Sequence, residues 1–520
     1  VELAEALQRP DAYPFPVHEV GFRQTHISWV FLAGAYAYKV KKPVNLGFLD
    51  YTTLERRRFY CQEEVRLNRR LAPDVYLGVV PITPGPRVEG HGPAIEYAVK
   101  MRRLPEPRML DRLLAAGALH EGDIDRLAQR LARFHAEAET GPRVERGGSI
   151  EIVRRNWQEN FDQVQPYLGW TISARELESC RRFVDHELAS PEVFEARLRH
   201  GRIRDCHGDL RAESVWMGED GQFEVFDCIE FNERFRYGDV ASEVAFLAMD
   251  LDWRGRPDLA WSWTDAYRRA SGDEGMLELL PFYKCYRAFV RGKVESMAVN
   301  EQGFTDDERQ ARKESASQHF RLAELYTAQL APVLILMCGQ VGSGKTTVAR
   351  GLASLLGLPL LSSDVVRKEL AGLEAGARSP SSLDAGLYRP EARRAVYEEL
   401  YRRASDCLRR GQSAIADATF GEAAERSRAV AAAERHGAGY FVLETVAPAR
   451  LIRRRLEARQ RQPSSASDAG VEVFQRTRSR FEPPSEIPAD HRCTLDLAGG
   501  IAQPVNAAVA AVLQRAATAP

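Results

Sequence analysis

The chain has 520 residues, 44% hydrophobic and 28% charged, with a formal net charge of −1. That length exceeds one ordinary domain, so about two to four are expected in a globular protein, and the near-neutral balance demands neither nucleic acid nor a membrane surface as partner while leaving room for a local basic groove. No apolar run reaches the roughly 18 residues of a spanning helix, and the eight cysteines include no Cys-x-x-Cys pair, which excludes a zinc site or disulfide framework of ordinary spacing and fits a reducing, cytoplasmic setting best.

In chain order, residues 17–22, 27–32 and 36–40 read as three short strands, the last two joined by Ala33-Gly34-Ala35. They open a β-rich stretch at about 17–103. Within it, residues 53–71 form a helix by their apolar spacing of three and four. Residues 108–200 are mostly helical, with Leu113, Leu127, Leu131 and Phe134 on repeating faces. A charged helical stretch at 307–330 ends at Ala331-Pro332, where proline stops the helix. This sets the expected division: a first domain at 1–328, with lobes at about 17–103 and 104–328, and a second at 331–520. A small β-lobe followed by a helical lobe is the order of a protein-kinase-like fold. Beyond residue 331, strands at 333–337, 359–361, 413–416 and 440–444 alternate with helices, which predicts a parallel sheet covered on both faces. The expected fold class is therefore α+β followed by α/β.

The segment Gly339-Gln340-Val341-Gly342-Ser343-Gly344-Lys345-Thr346 fits the phosphate-binding pattern G-x-x-x-x-G-K-[ST] without a gap. A strand precedes it and a helix follows, as a P-loop requires. Glycines let backbone N–H groups close around phosphate, and the helix N-terminus at Thr346-Thr347 adds its positive dipole end. Lys345 bridges the β- and γ-phosphates of ATP or GTP in this reading, and Thr346 holds Mg²⁺.

In the first domain, Cys206-His207-Gly208-Asp209-Leu210 is followed, eighteen residues after Asp209, by Asp227 in Phe226-Asp227-Cys228-Ile229-Glu230-Phe231. This pair resembles the catalytic loop and metal-binding motif of the aminoglycoside phosphotransferase and choline kinase-like family. The resemblance implies Asp209 as the base toward the acceptor hydroxyl and Asp227 as a ligand of Mg²⁺. It implies Lys39 as the strand lysine on the α/β-phosphates and Glu64 as its helix partner, with Glu63 a near rival. The segment Arg23-Gln24-Thr25-His26 occupies the place of a phosphate-covering loop but lacks glycine. The position of the second metal ligand, usually asparagine, is Ser214, a poor neutral ligand. The residue after Asp209-Leu210 is Arg211 in place of histidine. His135 reads as structural on its helix face, Asp239 as a helix N-cap, Trp261 and Trp263 as core, and Asp250 and Asp252 form no metal cluster.

Eighteen residues past Thr346, at the end of a strand, comes Asp364 in Ser362-Ser363-Asp364-Val365-Val366-Arg367. Ligands bind at that edge of a parallel sheet. This Asp-x-x-Arg resembles P-loop small-molecule kinases such as gluconate kinase and the kinase domain of polynucleotide 5′-hydroxyl kinases. The resemblance implies that Asp364 activates the acceptor hydroxyl and Arg367 grips the substrate. Asp417 ends a second apolar strand at the Walker B place, where Asp holds the Mg²⁺ shell through water or lines the substrate site. Six of the twelve residues from Arg450 to Arg461 are arginine, at the place of a lid at about 450–482. Arg455 and Arg459, four apart on one helical face, are its candidates for neutralising charge on the transferred phosphoryl group. The cluster also suits a nucleic-acid backbone.

The order of the two domains resembles a bacterial family of fused aminoglycoside phosphotransferase-like and P-loop ATP-binding proteins. The expected activity is ATP- and Mg²⁺-dependent phosphoryl transfer to a hydroxyl of a small metabolite or a nucleic-acid 5′ end, with no membrane partner. A nucleotide-gated binding protein with an N-terminal pseudokinase is the alternative.

Overall fold

The computed structural model describes residues 2–47, 49–299, 305–373, 389–460 and 470–517. Two compact units emerge. One joins Val1–Asp162, Asp185–Leu247 and Ala266–Leu279; the other joins Gln163–Val184, Ala248–Asp265 and Leu280–Pro520. The units are interleaved in sequence, where the sequence reading places a single boundary between 328 and 331.

In the first unit, β1 (Val20–Gln24), β2 (Ser28–Ala33), β3 (Tyr36–Lys41), β4 (Tyr76–Thr83), β5 (Arg87–Val88) and β6 (Glu96–Arg102) form one antiparallel sheet in the order β1-β2-β3-β6-β4-β5. The strand expected at 17–22 starts three residues later, at Val20. The 25–28 turn closes with the Thr25 N–H on the Ser28 carbonyl at 2.9 Å, so Arg23 and Gln24 are strand residues rather than a loop. Helix α1 (Leu54–Asn68) starts at the N-cap Thr53, whose side chain accepts from the Arg56 N–H. Cys61 and Val65 of α1 pack against Val75, Tyr76 and Val99 of the sheet side. Glu64 lies fully buried on α1, between those two residues.

The helical part of this unit includes α2 (Glu121–Glu137), with Ile124, Leu127, Ala128 and Leu131 buried at helical spacing. Four short strands follow: β7 (Ile203–Asp205), β8 (Val215–Met217), β9 (Phe223–Val225) and β10 (Tyr237–Asp239). The pairs β7–β10 and β8–β9 are antiparallel and hold the two ends of the segment that carries Asp209 and Asp227. Helix α3 (Val240–Trp253) follows and is buried along most of its length. The Asp239 carboxylate accepts from the Ala241 N–H at 2.9 Å, as a cap does, and also takes the Arg197 guanidinium at 2.7 and 2.8 Å.

The second unit is built on a parallel sheet, β12-β13-β11-β14-β15, of β11 (Val333–Gly339), β12 (Leu360–Ser362), β13 (Ala414–Asp417), β14 (Gly439–Val446) and β15 (Arg492–Asp496). All residues of the central strand β11 are buried, as expected of a strand covered on both faces. The helices are α4 (Met276–Ala298), α5 (Asp306–Leu325), α6 (Lys345–Leu356), α7 (Ser363–Leu370), α8 (Pro390–Arg409), α9 (Ala423–Arg435), α10 (Ala449–Gln460) and α11 (Ala502–Ala517). On one face of the sheet, Leu334 and Leu336 meet Val396, Leu400 and Val442. On α6, Gly351 lets Val505 and Pro257 approach, with both Val505 γ-carbons 3.0 Å from where a Cβ would stand.

A buried polar cluster ties the upstream helices to α6. The Lys284 ammonium on α4 donates to the Ser354 carbonyl at 2.6 Å and forms an ion pair with Asp252 on α3. The Tyr326 hydroxyl donates to Asp252 at 2.6 Å, and Ser354 Oγ donates to its other oxygen at 2.9 Å. Burial raises the Asp252 pKa and lowers that of Lys284, against the attraction of each for the other. Trp263 is core, whereas Trp261 is partly exposed with the Arg350 guanidinium 5.3 Å from its ring centre.

Candidate active sites

The P-loop turns at three glycines with left-handed backbone: Gly339 at φ 146°, Gly342 at 77° and Gly344 at 105°. A Cβ on Gly344 would stand 2.6 Å from Leu497, and one on Gly339 2.6 Å from the Thr445 carbonyl. Both positions therefore need glycine for conformation, and Gly339, whose neighbour is backbone, needs it for space as well. Lys345 donates to the Gln340 carbonyl at 2.9 Å, curling over the loop it must serve. Thr346 donates its hydroxyl to Asp417 at 2.7 Å. Burial raises the Asp417 pKa and the Asp364 charge adds to it, while Lys345 and the Thr346 hydrogen bond pull the other way. A hydroxyl and a carboxylate side by side at the phosphate loop suit Mg²⁺, which favours oxygen ligands and keeps its waters.

Register brings Asp364 and Arg367 to the same edge. Ser362 on β12 pairs with Asp417 on β13, so α7 begins beside the end of β13. Asp364 and Arg367 sit on the first turn of α7 and form an ion pair with each other. Arg455 on α10 reaches the P-loop, donating to the Ser343 carbonyl at 3.3 Å and the Leu497 carbonyl at 2.8 Å. Burial lowers its pKa. Arg459 lies on the same helix, but its side chain, like residues 461–469 of the expected lid, is outside the described residues. Ile452 and Leu456 pack with Phe474 and Val341, which joins α10 to the P-loop. Ser343 Oγ and Thr445 Oγ1 share a hydrogen bond of 2.7 Å.

In the first unit, Lys39 on β3 lies 2.8 Å from Glu64 and 2.6 Å from Asp227. Burial acts to lower the Lys39 pKa, but the carboxylates of Asp227, Glu64 and Glu230 outweigh it and hold it well above the ordinary value. The Lys39 cation in turn lowers that of Asp227. Glu63 faces away and pairs with Arg66 at 2.6 Å, so Glu64 is the helix partner. Asp227 takes a left-handed φ of 65°, uncommon outside glycine, with its N–H on the Tyr76 hydroxyl at 3.1 Å.

The segment 206–211 is held through its backbone. Glu243 on α3 accepts from the backbone N–H groups of His207 and Gly208 at 2.6 and 2.7 Å. His135 contacts Glu243 at 3.3 Å and the Tyr267 hydroxyl at 2.7 Å, which gives it the structural role expected from its helix face. The Asp209 carboxylate is clasped by Arg211, at 3.1 and 3.2 Å. Ser214, the implied second metal ligand, is buried. Its hydroxyl accepts from the Arg211 N–H at 3.0 Å and lies 2.8 and 3.2 Å from the carbonyls of Arg211 and Asp209. It closes the loop on itself, a structural task that a small hydroxyl performs and an exposed ligand would not.

Residues 334–484 match the family model described as AAA domain. The Uncharacterized protein Rv2004c of Mycobacterium tuberculosis (strain ATCC 25618 / H37Rv) is 36% identical over 417 residues, which cover 79% of this chain and 81% of that protein. The chain belongs to that protein's family. The Uncharacterized protein Mb2027c of Mycobacterium bovis gives the same identity and coverage. Among solved structures, the chain is similar to a choline/ethanolamine kinase family protein from Mesorhizobium loti (15% identity, 62% of this chain and 98% of that chain, TM-score 0.36). It is also similar to a gluconokinase from Sinorhizobium meliloti 1021 (17% identity, 36% of this chain and 96% of that chain, TM-score 0.27). In this chain the AAA domain carries the P-loop and the parallel sheet, and solved structures similar to the N-terminal part include aminoglycoside phosphotransferase-like and choline kinase-like kinases. Among the described residues, no helix is long and apolar enough to cross a membrane.

Several site residues of this family member carry no linear signal. Thr445 and Leu497 reach the P-loop because β14 lies beside β11 and β15 beside β14. Arg426 on α9 is fully buried, paired with Glu486 and donating to the carbonyls of Phe420 and Glu482 at 2.7 and 2.8 Å. It braces the loop after Asp417. Lys41 and Glu230 enter the first site through tertiary contacts. The alternating positions of β3 are the one sequence signal that could have found Lys41.

Proposed function

We propose that the protein is an ATP- or GTP-dependent, Mg²⁺-dependent phosphotransferase whose principal site is the C-terminal P-loop. The observation that carries this reading is the convergence of Lys345, Thr346 and Asp417 with the Asp364–Arg367 pair at one edge of the sheet. A pure nucleotide switch needs the first three and has no use for an acceptor-side carboxylate.

The acceptor is a hydroxyl on a small metabolite or a nucleic-acid 5′ end. Its oxygen forms a bond to the γ-phosphorus as the bond to the β–γ bridging oxygen breaks, and its proton passes to Asp364. Arg367 leaves Asp364 to grip the substrate. Lys345 and the P-loop N–H groups hold the phosphates, and Arg455 fixes the loop from the lid side. Mg²⁺, held at Thr346 and Asp417, supplies charge neutralisation on the phosphates. In the first unit, Lys39, Glu64, Asp209 and Asp227 form a second nucleotide site.

The test is Mg²⁺-dependent ATP consumption with and without a metabolite extract and a pool of 5′-hydroxyl oligonucleotides. Acceptor-stimulated turnover is expected in the wild type, absent in Lys345→Ala and in Asp364→Asn, with ATP binding retained in Asp364→Asn. Unaltered acceptor phosphorylation in Asp364→Asn would remove that residue from the reaction. The alternative, a nucleotide-gated binding protein with a pseudokinase module, draws support from the Arg211 clasp on Asp209 and the committed Ser214 hydroxyl. Slow turnover indifferent to every acceptor would favour it.

A further inference from the structure

Strand β3 places Lys39 and Lys41 on one face, because alternate residues of a strand point the same way. Both ammonium groups reach one carboxylate: Lys39 lies 2.8 Å from Glu64 Oε1 and Lys41 lies 2.7 Å from Glu64 Oε2. Their surroundings differ. The Lys41 side chain is 0% exposed and Lys39 retains 12%. Lys41 also pairs with Glu230, which accepts from the Tyr51 hydroxyl at 2.6 Å, and the ammonium stands 4.9 Å from the Tyr51 ring centre.

A buried charge without a partner is costly. Were Lys39 the only cation on Glu64, its turn toward nucleotide phosphate would strand a buried carboxylate. Lys41 removes that penalty, because it stays on Glu64 from a position shut off from solvent. Glu230 balances Lys41 in turn. It lies three residues beyond Asp227, so the same pair pins the loop carrying Asp227 to β3.

The geometry points to Lys41 and Glu230 as a positioning pair that holds Glu64 neutralised and so leaves Lys39 available to the phosphates at the N-terminal site. This rests on the reading of that site as a nucleotide site. Neither residue touches nucleotide. Without Lys41, Glu64 and Glu230 both draw on Lys39, which is then withheld from phosphate. Without both Lys41 and Glu230, Lys39 is drawn by one buried carboxylate fewer but is still the only cation on Glu64, so its withholding is eased and not ended.

The experiment measures Mg·ATP binding by calorimetry in a full-length Lys345→Ala background, which silences the P-loop. Binding that Asp227→Asn abolishes establishes the N-terminal site. Lys41→Met is expected to weaken that binding at least about tenfold, and Lys41→Met with Glu230→Gln to recover about threefold of that loss. Restoration by removing a second buried group is not what a packing role produces. Parent-like binding in Lys41→Met, or a double variant as weak as the single, overturns the pair's role alone. No Asp227-dependent binding in the parent overturns the site and the pair together. A melting curve for each variant separates weak binding from unfolding.

Discussion

Thr346 and Asp417 are joined by a hydrogen bond of 2.7 Å, which links the start of the P-loop helix to the end of the neighbouring strand. On the proposed function these two oxygens would hold Mg²⁺. Asp417→Asn and Thr346→Ala are each expected to weaken Mg²⁺-dependent nucleotide binding about 10–100-fold, as loss of groups that orient a metal shell does. Binding measured in EDTA should change little. Titration calorimetry with and without Mg²⁺ checks this, and equal losses in both conditions would refute the metal role.

Gly339 has no room for a side chain. A Cβ there would stand 2.6 Å from the Thr445 carbonyl, on backbone at φ 146°. Gly339→Ala is expected to cost about 1–3 kcal/mol of stability and to distort the loop that Thr445 braces. Urea unfolding and nucleotide binding, measured on the same preparation, should both fall.

The Lys284–Asp252 pair ties α3 and α4 to the P-loop helix. Lys284→Met leaves Asp252 buried without its cation and is expected to cost about 3–5 kcal/mol. Adding Asp252→Leu should recover much of that loss, because the unpaired charge is removed with its partner. Chemical denaturation of the two variants decides it. Equal instability of single and double would point to packing as the main term.

Glu243 has a pH signature. Burial alone would raise its carboxyl, but the His135 contact and the N–H groups of His207 and Gly208 hold it at about 2, below the ordinary 4.5. A carboxyl depressed in the folded state stabilises above its unfolded pKa and loses that contribution as pH falls toward the folded one. The expected contribution is about 3 kcal/mol, lost between roughly pH 4.5 and 2. Glu243→Gln should flatten the acid limb of the stability profile, which unfolding at stepped pH from 7 to 3 would show.

Contiguous chemistry was readable before any coordinates. The P-loop, the strand-terminal Asp417, the Asp209 and Asp227 pair, and Lys39 each carry a local signal. A phosphate cradle needs glycines, lysine and threonine in one short run, and a catalytic carboxylate follows a strand at fixed spacing. The resemblance put Glu64 ahead of Glu63 as partner of Lys39, and the structure pairs Lys39 with Glu64. Adjacent residues on a helix point about 100° apart, and only packing shows which one turns inward. β15 was missed because Arg492-Cys493-Thr494-Leu495-Asp496 has two charges in five residues and reads as a loop until an edge position beside β14 is known.

By itself the sequence determined the order of a β-rich part, a helical part and an alternating α/β part, the P-loop motif, and the residue types gathered at each candidate site. These are properties of short segments, set by backbone freedom and side-chain chemistry. Only the tertiary structure decided which charges neutralise which. Lys41 and Glu230 are 189 positions apart, Lys284 and Ser354 are 70 apart, and Arg455 and Ser343 are 112 apart. Charge pairing in a low-dielectric interior depends on distance in space and on burial, and sequence separation encodes neither.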